Sequence, residues 1–247
     1  GQHNSDQVSG IFFESETQFV SAGYDGKVFR STVSGNEITA TRIERNPGES
    51  DPDFIVRLRP SPDRQRFATS EVSLLKGKKS GQLNVMIWSN DGTRPLLSHP
   101  IDIPDNDKEL AFRHDVSWSS DGRELMLIQD GVIAIFDTTE WKLLRKLKSD
   151  ERGARPVRGA FAPSVEGHPD RVATFDGRVM HLWDLLQDGT SGVHVAEFRS
   201  HARYAIAASY SSDEEYVATA SETLRIFDAD EKSPDHGSTM YRLPVGD

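Results

Sequence analysis

Short apolar runs separated by turn-forming residues recur along the whole chain. Three of these runs end on an aromatic residue followed by aspartate, at Asp137, Asp184 and Asp228, which lie 47 and 44 residues apart. Degenerate copies place Ser89 and Thr32 at the aspartate position. A period of about 40–50 residues is typical of repeat architectures in which each unit is one supersecondary element. The pattern therefore predicts a repeated unit.

Each unit has the same internal order of runs and turns. The first run leads to a serine-aspartate turn, "SPDR" at 61–64, "SSDG" at 119–122 or "SSDE" at 211–214. The second run ends at an Asp-Gly hairpin, "YDGK" at 24–27, "QDGV" at 129–132 or "FDGR" at 175–178. Asp-Gly supplies the positive φ that a two-residue hairpin requires. A third run with the aromatic-aspartate pair and a weaker fourth run complete a predicted four-stranded antiparallel meander.

These units resemble WD repeats, the blades of a β-propeller. The third unit reads "VSWSSDGRELMLIQDGVIAIFD", and in the fifth His201 precedes Asp213 by twelve residues, the spacing of that family's Gly-His and Pro-Asp positions. The copies are divergent, since Ser200 stands where the family usually has glycine. We therefore predict an all-β fold, a β-propeller with five four-stranded blades in one domain. The predicted blades are residues 1–45, 52–104, 109–150, 155–199 and 201–247.

The resemblance implies structural roles for the recurring pair. The aromatic residue, Phe136, Trp183 or Phe227, is expected to pack between neighbouring blades. The aspartate that follows it is expected to open the turn to the outer strand. WD-repeat rings typically have seven blades, so we expect these five to belong to a larger ring, completed by further sequence of the same protein or by a second chain. A closed ring of five blades is the alternative.

Composition bears on the partners of the chain. The formal net charge is -10 and the sequence pI is about 5.3. Such a charge repels phosphate backbones and anionic lipid surfaces, so we expect neither nucleic acid nor membrane as a partner. No apolar run approaches the ~18 residues that a membrane helix needs. The chain has no cysteine, which excludes disulfides and thiolate chemistry and is compatible with the cytoplasmic location that we expect.

The sequence carries no catalytic signature of the hydrolase, metalloprotease or phosphate-loop type. Its eight histidines do not pair at metal-ligand spacing. We therefore predict no catalytic residue, no metal and no cofactor. The acidic segment at 102–109 has carboxylates at alternate positions that could present oxygens to calcium, but a solvated loop is expected.

Two features suggest where a partner binds. An insertion in the second unit places Lys76, Lys78 and Lys79 in a basic hairpin suited to an acidic partner. WD-repeat proteins commonly bind through the face onto which such hairpins project, often through the residue before the hairpin aspartate. The positions that match are Tyr24, Gln129 and Phe175. An exposed aromatic pair there would be an anchor, although either ring could pack under its loop.

The favoured function is therefore a non-catalytic protein-protein interaction scaffold or sensor module of a larger regulatory or signalling protein. The alternative is a propeller enzyme of glycoside-hydrolase type, with two carboxylates about 5–10 Å apart in the central channel. A third reading is a chain that templates an oligomer through its open ends. The recurring aspartates argue against the enzyme, because their pattern is that of turn residues.

Overall fold

The computed structural model describes residues 7–74, 80–89, 92–102, 114–129, 131–148, 158–163, 170–175, 179–185, 192–199, 207–220, 223–230 and 232–244. All regular secondary structure in these ranges is β-strand. They contain no helix of the length and hydrophobicity needed to cross a bilayer. The chain divides into two compact units, residues 1–112 and 113–247, which are described in turn.

The first unit contains two four-stranded antiparallel meanders. The first blade consists of β1 (Val8–Phe13), β2 (Gln18–Gly23), β3 (Val28–Ser34) and β4 (Glu37–Arg42). The second blade consists of β5 (Phe54–Pro60), β6 (Phe67–Leu74), β7 (Ser80–Ser89) and β8 (Gly92–Asp102). Sequential strands pair in both sheets.

The second unit contains three blades with the same topology. The third blade consists of β9 (His114–Trp118), β10 (Glu124–Gln129), β11 (Val132–Asp137) and β12 (Leu143–Lys148). The fourth consists of β13 (Arg158–Phe161), β14 (Arg171–Phe175), β15 (Val179–Leu185) and β16 (Gly192–Arg199). The fifth consists of β17 (Ala207–Tyr210), β18 (Tyr216–Ala220), β19 (Thr223–Asp228) and β20 (Thr239–Pro244). The predicted all-β fold, a β-propeller of four-stranded antiparallel blades with five in this chain, is confirmed.

Apolar cores form where one blade packs on the next within a unit. Trp88 belongs to the core between the first and second blades, Trp183 to that between the third and fourth, and Phe227 to that between the fourth and fifth. All three aromatic side chains are buried, and so is Phe136. Packing between neighbouring blades, as predicted for the recurring aromatic residue, is confirmed for Trp183 and Phe227. The large apolar area of these side chains explains why an aromatic recurs there.

Trp88 and Trp183 each donate the indole N–H to a threonine of the neighbouring strand. Trp88 Nε1 donates to Thr69 Oγ1 at 2.8 Å, and Trp183 Nε1 donates to Thr174 Oγ1 at 2.9 Å. In each blade the residue directly opposite the threonine lies two positions before the tryptophan, so the pair is diagonal. A buried indole N–H would otherwise lose its hydrogen bond to water.

The turn between the first and second strands has the same hydrogen bonds in three blades. The Ser61 hydroxyl donates to the carboxylate of Asp63 and accepts from the N–H of Arg66 at 3.1 Å. The carboxylate also accepts the N–H of Gln65 at 3.0 Å. The same bonds recur in residues 119–124 and 211–216. These bonds confirm the predicted turn role of Asp63 and of its counterparts Asp121 and Asp213.

The fourth residue of this turn has a left-handed backbone. Its φ is 58° at Arg64, 72° at Gly122 and 65° at Glu214. Glycine adopts this conformation without steric cost, whereas arginine and glutamate do so less readily. The repeated hydrogen bonds therefore hold the same turn shape even where the sequence lacks glycine.

The aspartates after the aromatic residues also hold turns. Asp137 Oδ1 accepts the N–H groups of Thr139 at 2.9 Å and Glu140 at 2.6 Å. Asp228 Oδ1 accepts the N–H of Asp230 at 3.0 Å. The turn role implied for these two aspartates is confirmed. Asp184 instead pairs across the sheet, with Arg171 Nε donating to its Oδ1 at 2.7 Å.

The outer strands of the third, fourth and fifth blades each contain a bulge opposite the aromatic residue. The register shifts between Ile135 and Phe136, between Leu182 and Trp183, and between Ile226 and Phe227. The second blade has a bulge two residues earlier, between Val85 and Met86. A bulge bends and twists its strand, so the outer strands of the third, fourth and fifth blades are kinked at the same level of the blade.

Replacing Trp183 with alanine is expected to lower the free energy of unfolding by about 3–5 kcal/mol, as other core aromatic truncations do. The substitution empties space between the third and fourth blades. Trp183→Phe is the matched control, because it keeps most of the apolar area and removes only the donor to Thr174; its expected cost is about 1–3 kcal/mol. Urea unfolding followed by circular dichroism measures both. An unchanged transition in Trp183→Ala would contradict the packing role.

The hydrogen bonds of the serine-aspartate turn predict how Asp63 titrates. The Ser61 hydroxyl, together with the N–H of Gln65, holds the pKa of Asp63 below its ordinary value. Because the pKa of Asp63 is lower in the folded state than in the unfolded state, the ionised Asp63 stabilises the fold at pH values above its ordinary pKa. This contribution to stability is lost as the pH falls through the lowered pKa. Ser61→Ala is therefore expected to raise the pKa of Asp63 in an NMR titration. The pKa of Asp213, in the equivalent turn of the fifth blade, should not move in this variant.

Candidate functional site

The sequence-predicted binding residues lie at the blade ends that carry the hairpins between the second and third strands. Tyr24 directly follows β2 in the first unit, whereas Gln129 and Phe175 are the last residues of β10 and β14 in the second. Lys76, Lys78 and Lys79 lie outside the described residues, as does most of the acidic segment at 102–109. The candidate binding residues are therefore described separately for the hairpins of the first unit and for those of the second.

The hairpin that contains Tyr24 differs from the sequence prediction in its loop length. Ala22 pairs with Val28, and Gly23 N–H donates to the carbonyl of Lys27 at 3.3 Å. Three residues, 24–26, therefore form the loop, and within it only Gly26 has a positive φ, 72°. This is a type I turn followed by a left-handed residue, the common three-residue alternative to the two-residue hairpin. The hairpin after Gln129 does have two residues, since Gln129 pairs with Val132.

The linker between the first and second blades packs against this hairpin. A Cβ atom on Gly26 would lie 1.9 Å from the carbonyl oxygen of Pro52, so only glycine fits. The ring of Tyr24 meets that of Phe54 edge-on, with centroids 6.2 Å apart and an interplanar angle of 87°. Both rings are half-buried. The edge-to-face contact fixes Tyr24 while part of its ring stays accessible to solvent.

The same linker also holds the strand that leads into the lysine segment. Asp53 Oδ2 accepts the N–H of Leu74, the last residue of β6, at 2.6 Å. Residues 75–79 follow directly in sequence. Pro52, Asp53 and Phe54 therefore contact both the Tyr24 hairpin and the strand end from which the lysine segment departs.

Arg45, which belongs to this linker, takes part in a buried ionic network. Arg45 Nη2 contacts Glu71 Oε1 at 2.8 Å, and the Arg45 guanidinium lies over the ring of Trp88 at 5.0 Å. The Thr69 hydroxyl, which accepts the Trp88 indole N–H, donates to the same Glu71 oxygen. Both charged side chains are buried. A buried carboxylate needs such a cation and donor to offset its lost hydration.

Burial and charge act in opposite directions on Glu71. Desolvation raises its pKa above the ordinary value, whereas the charge and hydrogen bond of Arg45 and the hydroxyl of Thr69 lower it in part. Sequence reasoning did not find this network. The signal was a glutamate inside the otherwise apolar and small-residue run "FATSEV" at 67–72; the partner, 26 residues away in a linker, has no local signature.

The hairpin end of the third and fourth blades is polar and closely packed. His114 and Asp115 are buried at the start of β9, and Gln129 lies directly opposite His114. Arg158 Nη1 donates to the carbonyl oxygen of His114 at 3.2 Å, which ties the first strands of two neighbouring blades together. Gln129 is half-buried, and its Nε2 makes no hydrogen bond to the described residues.

Phe175 is fully buried in the core between the fourth and fifth blades, beside Met180 and Leu182. Of the two readings that the sequence left open for this ring, packing inside the blade is the one observed. Tyr24 and Phe175 therefore do not form an exposed aromatic pair, because the ring of Phe175 belongs to a core.

The opposite end of the third and fourth blades contains a cleft of about 220 Å³. Two charged side chains that line it are paired with neighbours: Arg171 with Asp184, and Glu124 Oε1 with Arg145 Nη2 at 3.1 Å. Burial raises the pKa of Glu124, and the charge of Arg145 opposes this rise. Among the described residues no cluster of three or more histidine, aspartate or glutamate side chains could hold a metal ion.

The sequence matches no protein-family model, and it matches no curated protein. The geometry of the hairpin ends is therefore the basis for a functional assignment.

Replacing Arg45 with methionine is expected to destabilise the fold by about 3–5 kcal/mol near neutral pH, because Glu71 is left buried without its cation. The pKa of Glu71 should rise further in the variant. Protonation then relieves the penalty at low pH, so the deficit relative to the wild type grows as pH rises. Urea unfolding at pH 5 and pH 8 measures this. A double variant, Arg45→Met with Glu71→Met, should recover most of the loss, and a pH-independent deficit would contradict the ionic account.

Proposed function

We propose that this chain is a non-catalytic protein-interaction module, a scaffold or sensor within a larger regulatory or signalling protein. Its repeats resemble WD repeats, and its proposed location is cytoplasmic. The proposed partner is a protein with an acidic surface. The net charge of -10 disfavours nucleic acid and anionic membranes as partners.

The observation that supports this proposal is the convergence of two binding elements on one rigid segment. Pro52 and Phe54 pack against the Tyr24 hairpin, and Asp53 holds the end of β6 just before the lysine segment. Arg45, in the same linker, is fixed by its buried contact with Glu71. Because this segment already holds Tyr24, the tyrosine ring can contact a partner with little loss of conformational entropy.

The chemistry of these elements suits an acidic protein surface. Tyrosine supplies apolar area and a hydroxyl at low entropic cost, and such side chains dominate the binding energy of many interfaces. Lysines on an acidic protein provide a local positive field that steers an acidic partner while the rest of the surface repels it. The proposed interface therefore combines Tyr24 with Lys76, Lys78 and Lys79, and Gln129 is the corresponding position of the second unit.

Partner capture from a lysate of the native host tests this function. Immobilised wild-type chain should enrich a partner that is lost when Tyr24→Ala is combined with charge reversal of Lys76, Lys78 and Lys79 to glutamate. Binding to the purified partner should weaken at least about 30-fold, as expected when an aromatic anchor and its flanking charges are removed. Lys142→Glu is the matched control, because Lys142 is exposed in the turn between β11 and β12, far along the sequence from both elements. Retained binding in the combined variant would refute this choice of surface.

A further inference from the structure

The three blades of the second unit present the same four positions on the face that turns toward the following blade, here called the forward face. Two positions lie on the second strand and two lie opposite them on the third. They are Met126, Ile128, Ile133 and Ile135 in the third blade; Ala173, Phe175, Met180 and Leu182 in the fourth; and Ala218, Ala220, Leu224 and Ile226 in the fifth. All twelve residues are apolar.

The three forward faces differ in burial. The four residues of the third blade and the four of the fourth are each no more than 1% exposed. Those of the fifth blade are all half-buried. The sequence thus maintains an apolar forward face in the fifth blade that is only partly covered within the single chain.

Each covered forward face packs against one type of surface, here called the back face, which carries the aromatic position of the next blade. Trp183, Val172, Leu185 and Phe161 cover the third blade. Phe227, Val217, Ala229 and Tyr210 cover the fourth. The junction within the second unit is therefore always a forward face against a back face, never two faces of the same type.

The exposed forward face of the fifth blade extends onto its outer strand. Tyr241 lies directly opposite Ile226, and Leu243 lies directly opposite Leu224. These two side chains are 64% and 54% exposed. Large apolar side chains grouped in this way mark interaction surfaces.

The first blade has an exposed back face. Phe13 on β1 lies opposite Phe19 on β2, just as the back-face residues Phe161 and Val172 lie opposite each other in the fourth blade. Phe13 and Phe19 therefore occupy back-face positions. Phe13 is 52% exposed, and its ring lies 5.7 Å from that of Phe19. Ile11 and Ile38, on the same face, are also exposed, at 59% and 63%. Among the described residues, the fifth blade thus has a partly exposed forward face and the first blade an exposed back face, and these two faces are complementary in type.

We propose that the forward face of the fifth blade binds the back face of the first blade of a second copy of this chain. The contact would reproduce the junction that the second unit uses twice, and burial of the exposed tyrosine, leucine, phenylalanine and isoleucine side chains would drive it. Such a contact is heterologous, since it joins two different surfaces, and it builds closed rings or open chains of copies. It goes beyond the proposed recognition at the hairpin ends and uses none of the same residues.

Two variants that each disable one face test this interface. Leu243→Lys places a charge on the forward face, and Phe13→Lys places one on the back face; both positions are more than half exposed, so the fold should tolerate the change. Leu143→Lys is the matched control, because Leu143 is comparably exposed on β12 of the third blade. Circular dichroism and thermal unfolding verify that every variant is folded.

Sedimentation velocity over a range of concentrations of the full chain gives the result. The wild type and Leu143→Lys should assemble as concentration rises, and each of the other two variants should bind itself at least about 30-fold more weakly. An equimolar mixture of Leu243→Lys and Phe13→Lys should form a dimer and nothing larger, because only one intact forward face and one intact back face can meet in each pair.

Three results would overturn the proposal. A wild-type chain that stays monomeric at all concentrations would show that a second copy is not the occupant, and would leave closure within one chain or binding of a different polypeptide. Assembly that survives either lysine substitution would show that the copies meet through other surfaces or through two faces of one type. A mixture that forms no dimer would contradict the pairing of forward with back.

Discussion

The packing of one blade's sheet face on the next is the constraint on which the rest of the structure depends. A four-stranded meander buries too little apolar surface to be stable by itself, so each sheet needs a second sheet against it. The cores around Trp88, Trp183 and Phe227 supply this burial. Because the same face-to-face contact recurs, the residues that make it recur too, which accounts for a period of about 45 residues in the sequence.

Close packing of sheets obliges the protein to satisfy polar groups locally. The indoles of Trp88 and Trp183 donate to threonines one strand away, and the serine-aspartate turns satisfy their own backbone N–H groups. The donor and acceptor of each of these hydrogen bonds lie within one blade, so the bond is copied when the repeat is copied. Arg45 and Glu71 form the exception, because their contact joins a linker to a strand and occurs once in the described chain. This contact anchors the linker that packs against the hairpin of the first unit.

Features set by neighbours in sequence were predictable, and features set by neighbours in space were not. The strands, the aromatic residues of the cores and the turn aspartates follow from apolar alternation and from the hydrogen-bonding capacity of Asp and Ser. The loop of three residues at Tyr24 does not, because it depends on the pairing of Ala22 with Val28 and on the close approach of Pro52. The burial of Phe175 likewise depends on residues of the following blade, Val217 and Phe227.

The buried contact of Arg45 with Glu71 also limits how this repeat can be copied or exchanged. A blade can move between proteins as a unit only if its own residues satisfy everything that it buries. The second blade does not meet this condition, since its glutamate depends on an arginine that belongs to the preceding linker. Gene duplication or recombination with a boundary after residue 45 would transfer a sheet with an uncompensated charge at its centre. The unit that can be duplicated or exchanged in this part of the chain is therefore a blade together with the linker that precedes it.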